Sequence, residues 1–201
     1  MTIRDLLLGG ACVLVLGAPR PASAQNFLMN SAETINKGNF KIAAFPTVIL
    51  AEDDAEDAWG VASRVGYGFT DRFDVEAKVA FFDGLNMYGA DAEYWLVKGD
   101  IDVSVSGGLR FADYAGEADT KALDLAGIGS LNLTKKLEAY LGGSLSFESV
   151  DTDDSSFQRF YLVPGIEYRL ARDLDLLAEF GIGLADESPH YFSFGVAYYI
   201  R

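Results

Sequence analysis

The chain has 201 residues, a formal charge of −14, one histidine and one cysteine. The acidity excludes a nucleic-acid partner, whose phosphates need a surplus of Lys and Arg. The length allows one domain with a full core or one closed barrel, and the cysteine count excludes a disulfide framework or a Cys-based metal site.

Residues 1–24 read as a cleaved signal peptide. Arg4 supplies a positive start, Leu6 to Gly17 is an apolar run interrupted only by glycines, and Ala22-Ser23-Ala24 is an A-x-A cleavage pattern before Gln25. Those twelve residues are too few for a helix to cross a hydrocarbon core of about 30 Å. Cys12 is not expected to carry lipid, because Gly9 stands where a lipobox has Leu. The mature chain is then cysteine-free, and losing Arg4, Arg20 and Asp5 (a net +1) takes the charge from −14 to −15. Residues 25–37 are expected to form a short periplasmic N-terminal segment, and 38–201 a single barrel domain.

From residue 38 the sequence alternates with period two in ten segments: 38–51, 59–69, 73–83, 88–98, 100–112, 121–133, 137–149, 157–169, 174–184 and 190–200. Most have 10 to 14 residues, whereas ordinary strands have about 5–6 and a tilted strand needs about 9–11 to span a bilayer. The connections fall into two kinds. Tight turns are expected at Thr70–Arg72, Gly99, Thr134–Lys136 and Ala171–Asp173. Longer, acidic loops are expected at Glu52–Ala58, Gly84–Met87, Asp113–Thr120, Val150–Ser156 and Ala185–Pro189. This is the pattern of an all-β, closed, up-and-down antiparallel transmembrane β-barrel of ten strands, with eight to twelve as the range. Its short turns and both termini belong on the periplasmic side. The similar stretches "FTDRFDV", "LTKKLEA" and "LARDLDL" are read as shared hairpin-turn chemistry rather than duplication.

One parity of each strand is apolar, as in Phe73, Val75, Ala77, Val79 and Phe81. The other is charged and glycine-rich. In lipid, an outward Arg or Lys at mid-bilayer costs roughly 2–4 kcal/mol, so the charged parity must face inward. The residues expected to line the lumen are Arg64, Glu76, Lys78, Asp91, Glu93, Arg110, Glu138, Arg159 and Glu179. Pairs such as Arg64 with Glu76, or Arg110 with Asp91, are candidates for an ion-pair ladder. Trp95, Tyr140 and Tyr161 share that parity and narrow the interior. Aromatics of the apolar face gather toward strand ends (Trp59, Phe69, Phe73, Tyr88, Phe111, Phe147, Tyr168, Tyr198), as interfacial girdles do. The opposed arrangement, a soluble lipocalin-like binder with grease inside, has the same parity and is disfavoured by strand length and girdles.

"AETINKGNF" (32–40) followed by "RVGYGFTDRFDVE" (64–76) resembles the first hairpin of the outer-membrane channels linked to phenol meta-pathway gene clusters. Those chains enter strand one after a K-G-x-F-like signal and turn at a Y-G-x-T-D-R-x-D/E-like signal. The final strand, Phe192 to Ile200, is similar to a barrel-assembly signal, although it ends in Arg201 rather than an aromatic. The resemblance implies a Gram-negative outer-membrane barrel acting as a narrow, porin-like channel for small solutes or ions. The competing readings are a structural barrel without transport and a lipid-modifying barrel enzyme.

No enzymatic activity, cofactor or metal is expected. His190 and Ser193 are three residues apart, which puts them on opposite faces of a strand. The acidic loops 52–57 and 151–155 are a weak candidate for divalent cations, the second lacking the Gly and distal Glu of an EF-hand loop. The expected partners are outer-membrane lipid and lipopolysaccharide, the barrel-assembly machinery and small solutes.

Overall fold

The computed structural model describes residues 27–50, 56–115, 119–151, 156–185 and 188–201. The predicted leader lies outside these residues, as do residues 52–55 and 152–155 of the two loops considered for divalent cations, of which Glu56, Asp57 and Asp151 are described.

Ten antiparallel strands form: β1 Phe40–Ile49, β2 Ala58–Thr70, β3 Phe73–Phe82, β4 Leu85–Val97, β5 Ile101–Tyr114, β6 Thr120–Asn132, β7 Leu137–Val150, β8 Ser156–Ala171, β9 Leu174–Gly183 and β10 Tyr191–Ile200. Each pairs with its neighbours in sequence, and β1 pairs with β10 to close the barrel. The closing register runs from Phe40 opposite Ile200 to Ile49 opposite Tyr191, which sets the start of β1 and the end of β10 at the turn end. Closure leaves no unpaired sheet edge, the condition for a sheet to stand in lipid. Proline interrupts the ladder twice. The β1–β10 register skips Phe45 and Pro46, and the β8–β9 register skips Val163 and Pro164, as expected of a residue without an N–H.

The connection expected as a longer loop at Gly84–Met87 is instead a two-residue turn. Phe82 opposes Leu85, and the turn is Asp83-Gly84 with Gly84 at φ 72°. Asp-Gly suits a tight hairpin because glycine enters the left-handed region freely. The segment reads as loop in sequence because Leu85 and Met87 turn inward, 1% and 3% exposed, and break the apolar-outward rule.

The apolar parity covers the outside: Val65, Phe81, Leu109, Leu125 and Leu141 are exposed side chains on β2, β3, β5, β6 and β7. Aromatics mark both rims. Phe40, Tyr67, Phe69 and Phe73 form a chain of ring contacts 4.8 to 6.0 Å apart at the turn end. Phe81 and Tyr88 meet at 6.2 Å toward the loop end.

The N-terminal segment corrects the sequence reading. Residues 27–36 do not lie in the periplasm; they run inside the barrel from its loop end to its turn end. Phe27 packs against Phe82 and Tyr191, with ring centres 5.8 and 4.9 Å away. Met29 and Ala32 are fully buried. At the turn end Lys37 bridges Gly68, Gly38 donates its N–H to the Gly68 carbonyl at 2.8 Å, and the chain enters β1. The wall makes room with glycine. A Cβ on Gly142 would strike Leu28, and one on Gly68 would strike the carbonyls of Ile35 and Asn36. Phe27, Leu28, Met29 and Ala32 of the segment join one apolar core with Phe45, Phe82, Tyr161 and Tyr191.

The lipid-facing assignment has a direct consequence. Leu125→Arg, midway along β6 and pointing outward, should lower unfolding stability in lipid vesicles by roughly 2–4 kcal/mol. The same change at Lys121, near the rim, should be close to neutral; equilibrium urea titration reads both.

Candidate functional site

The barrel interior holds eleven buried acids: Asp74, Glu76, Asp91, Glu93, Asp102, Asp124, Glu138, Glu148, Glu167, Asp175 and Glu179. Period-two alternation puts all of them on the inward face of their strands. The basic residues among them are Lys41, Arg64, Arg110 and Arg159, all buried, and Lys78, whose side chain is 12% exposed.

The cations and four of the acids form one unbroken, alternating chain: Lys41–Glu76–Arg64–Asp91–Lys78–Asp124–Arg110–Glu148–Arg159. Its eight links run from 2.6 to 3.3 Å and join strands β1 to β8. Removing charges from water is expensive unless each is paired and hydrogen-bonded, and here every acid bridges two cations. Ser146 adds a 2.6 Å hydrogen bond to Asp124. The link from Lys78 on β3 to Asp124 on β6 passes over two intervening strands, so the chain reaches across the lumen as well as around its wall.

Three further acids hold the N-terminal segment. Glu179 accepts the Met29 N–H at 2.7 Å and the hydroxyls of Tyr140 and Tyr191 at 3.1 and 2.9 Å. Asp74 accepts the Ile35 N–H at 2.6 Å. Glu93 accepts the Asn30 amide at 2.6 Å, while the Asn30 carbonyl oxygen accepts from Lys41 at 2.6 Å. Arg64 donates to the Leu28 carbonyl. The segment is therefore stitched to the ion-pair chain at Asn30 and Leu28.

The last four acids, Asp102, Glu138, Glu167 and Asp175, lie near the turn end. Asp175 is 4.0 Å from Arg169, whose side chain is half exposed. A mouth cavity of about 370 Å³ opens here, lined by Ser31, Glu33, Asn36, Glu167, Arg169 and Asp175 among others. Beside the segment, the cavities among described residues shrink to about 20 and 10 Å³, room for about one water each.

Each residue expected to line the lumen points inward. Arg64, Glu76, Lys78, Asp91, Arg110 and Arg159 enter the ion-pair chain, Glu93 and Glu179 grip the segment, and Glu138 stands at the turn-end mouth. Arg64 meets Glu76 at 3.0 Å as anticipated. Arg110 pairs with Asp124 and Glu148 instead of Asp91, which Arg64 and Lys78 occupy. Tyr140 and Tyr161 are buried, whereas Trp95 sits at a register shift in β4 under the Lys98 ammonium, 3.5 Å from its ring centre. Lys41, Asp124 and Glu148, which complete the chain, share the charged parity of their strands; the segment 27–36 has no period to betray it. His190 accepts the Gly183 N–H on Nδ1 at 3.0 Å, and Ser193 shares a 2.7 Å hydrogen bond with Thr47, so the two are committed to different partners.

The sequence matches the outer membrane protein beta-barrel domain over residues 9–199. The chain belongs to this family. It is an outer-membrane β-barrel. Among solved structures it is similar to an outer membrane channel from Pseudomonas putida F1, with 8% identity, 89% of this chain and 100% of that chain covered, and a TM-score of 0.57. A KdgM porin aligns at 12% identity over 80% of this chain and 99% of that one, TM-score 0.46. A loop-deleted OmpT of Vibrio cholerae aligns at 16% identity over 81% of this chain, TM-score 0.42, and the chain spans 62% of that protein's length. The likeness to the Pseudomonas putida F1 channel bears on the fold alone. Comparison with curated protein sequences gives no match.

The ion-pair chain predicts strong coupling. Glu148→Ala leaves Arg110 and Arg159 without their shared anion and should cost about 3–5 kcal/mol. Arg110→Ala with Glu148→Ala should cost clearly less than the sum of the single changes, a double-mutant cycle read by denaturant unfolding in detergent or lipid.

Proposed function

We propose that this protein is a narrow outer-membrane channel for small solutes or ions, held shut by its own residues 27–36 and exported by a leader cleaved after Ala24. One observation carries the reading. Above the Lys37–Gly68 bridge the segment is bound by side chains and single hydrogen bonds and joins no strand ladder. It can leave without breaking any backbone pairing of the wall, and a closed barrel wide enough to hold a second stretch of chain is wide enough for a small solute once that stretch is gone. The first hairpin's likeness to the phenol meta-pathway channels supports the same reading. The eleven buried acids against five cations favour cations as the permeant species. The apolar belt faces lipid and lipopolysaccharide, and the alternating final strand is what the assembly machinery would engage.

The ion-pair chain favours a second reading, a structural barrel without transport, because its eight links join wall residues directly and use no residue of the segment. Planar-bilayer recording separates the two. The mature wild-type chain should show little conductance, whereas deletion of residues 27–36, or Gly142→Leu to push against Leu28, should give discrete, cation-selective openings. If both variants fold, as judged by heat-modifiable migration on SDS gels, and stay silent, the structural reading holds.

A further inference from the structure

The four turn-end acids differ from the rest of the interior in lacking a matching set of cations. Three carboxylates converge there from three separate stretches of chain: Glu33 from the N-terminal segment, Asp102 from β5 and Glu138 from β7, each offering one oxygen within 4.8 Å of the others. Asp102 and Glu138 are 5% and 4% exposed. Among the described residues none of the three forms an ion pair with Lys or Arg, in contrast to Glu76, Asp91, Asp124 and Glu148. A second observation is independent of this convergence: the buried Oε1 of Glu138 has no hydrogen-bond partner. One Asp102 oxygen is occupied by the Gly99 N–H at 3.1 Å, which fixes that carboxylate without neutralising it.

We propose that Glu33, Asp102 and Glu138 form a binding site for a divalent cation, calcium by its ligand set, which ties the N-terminal segment to the barrel wall. Three mutually close carboxylates, two of them buried and the third part-buried, are costly unless a cation offsets them. Hard carboxylate oxygens without nitrogen or sulfur ligands select Ca²⁺ or Mg²⁺. Three protein carboxylates suit Ca²⁺, which takes about six to eight oxygens in a flexible geometry, better than Mg²⁺, which keeps most of its waters and is bound through one or two carboxylates. Glu33 also lines the 370 Å³ mouth cavity, which gives the ion an entry path and room for the waters that complete its coordination. The site needs only the closed arrangement of segment and wall; it does not depend on the barrel conducting.

Isothermal titration of CaCl₂ into the chelator-treated, folded mature chain in detergent tests the site. One equivalent should bind to the wild type, with MgCl₂ binding more weakly. Glu138→Gln and Asp102→Asn should each weaken Ca²⁺ binding at least tenfold while keeping heat-modifiable migration, and the rim control Asp151→Asn should bind like the wild type. Glu33→Gln should lose binding as well, and Ca²⁺ should slow hydrogen exchange of residues 27–36 in the wild type but not in Glu33→Gln. Unchanged binding in the three site variants, binding lost in Asp151→Asn, or no binding to the wild type would each overturn the proposal. These readouts involve no conductance, so silence in bilayer recordings leaves them unaffected.

Discussion

The structure depends on keeping nine charges out of water at once. A closed barrel in lipid must send its charged parity inward, and a ten-stranded interior has no room to hydrate so many ionised groups. The solution is strict alternation: no two like charges are neighbours along the chain from Lys41 to Arg159, and each acid is clasped between two cations. Such a network is high-stakes, since removal of one member exposes two others to an uncompensated low-dielectric environment. Local sequence choices follow from it. Glycine opposite Asp91 is required because a Cβ on Gly108 would collide with the Asp91 carboxylate and the Ala90 carbonyl.

The interior is layered along its axis. At the loop end the filling is apolar and aromatic, with Phe27, Phe45, Phe82, Tyr161 and Tyr191 in mutual contact. The ion-pair chain occupies the middle, and Asn30 is built into it, since its amide spans Lys41, Glu76 and Glu93. At the turn end the acids outnumber the cations and the cavity widens. The three layers hold the segment by different physics: hydrophobic burial around Phe27, charge-assisted hydrogen bonds around Asn30, and carboxylates around Glu33. Only the first is insensitive to the ionic state of the lumen.

Much of this was legible in sequence because a transmembrane barrel obeys two simple rules, alternation and hairpin connection. The parity of strands such as Phe73–Phe82 and Ile101–Tyr114 already separates lipid-facing from inward residues, and "TDR" and "ARD" already mark turns. What parity cannot supply is the partner. Asp91 lies opposite Gly108 and Arg110 opposite Ala122, so direct cross-strand opposition predicts neither ion pair of Arg110. Asp124 is reached diagonally on the adjacent β6, and Glu148 on β7 only over an intervening strand. The lumenal segment escapes for a different reason. Residues 27–36 have no repeat, no run long enough for a core element and a polar second half, so they read as a tail. Most of their contacts are with residues far away in the chain, such as Met29 with Glu179.

The path of that segment constrains how it can move. Residue 27 sits at the loop end, and the chain is anchored at the turn end by the Lys37–Gly68 bridge and by Gly38, whose φ of 81° makes the reversal into β1. A segment tethered there swings out only toward the turn end, with Glu33 and Thr34 leaving first and Phe27 last. Departure thus begins at the polar mouth, where water already reaches the chain, and ends by uncovering Phe82 and Tyr191. The order sets the barrier: the early steps exchange hydrogen bonds with water at little net cost, whereas the last forfeits aromatic burial. In the proposed channel the segment would thus be held longest at Phe27 and released first at Glu33.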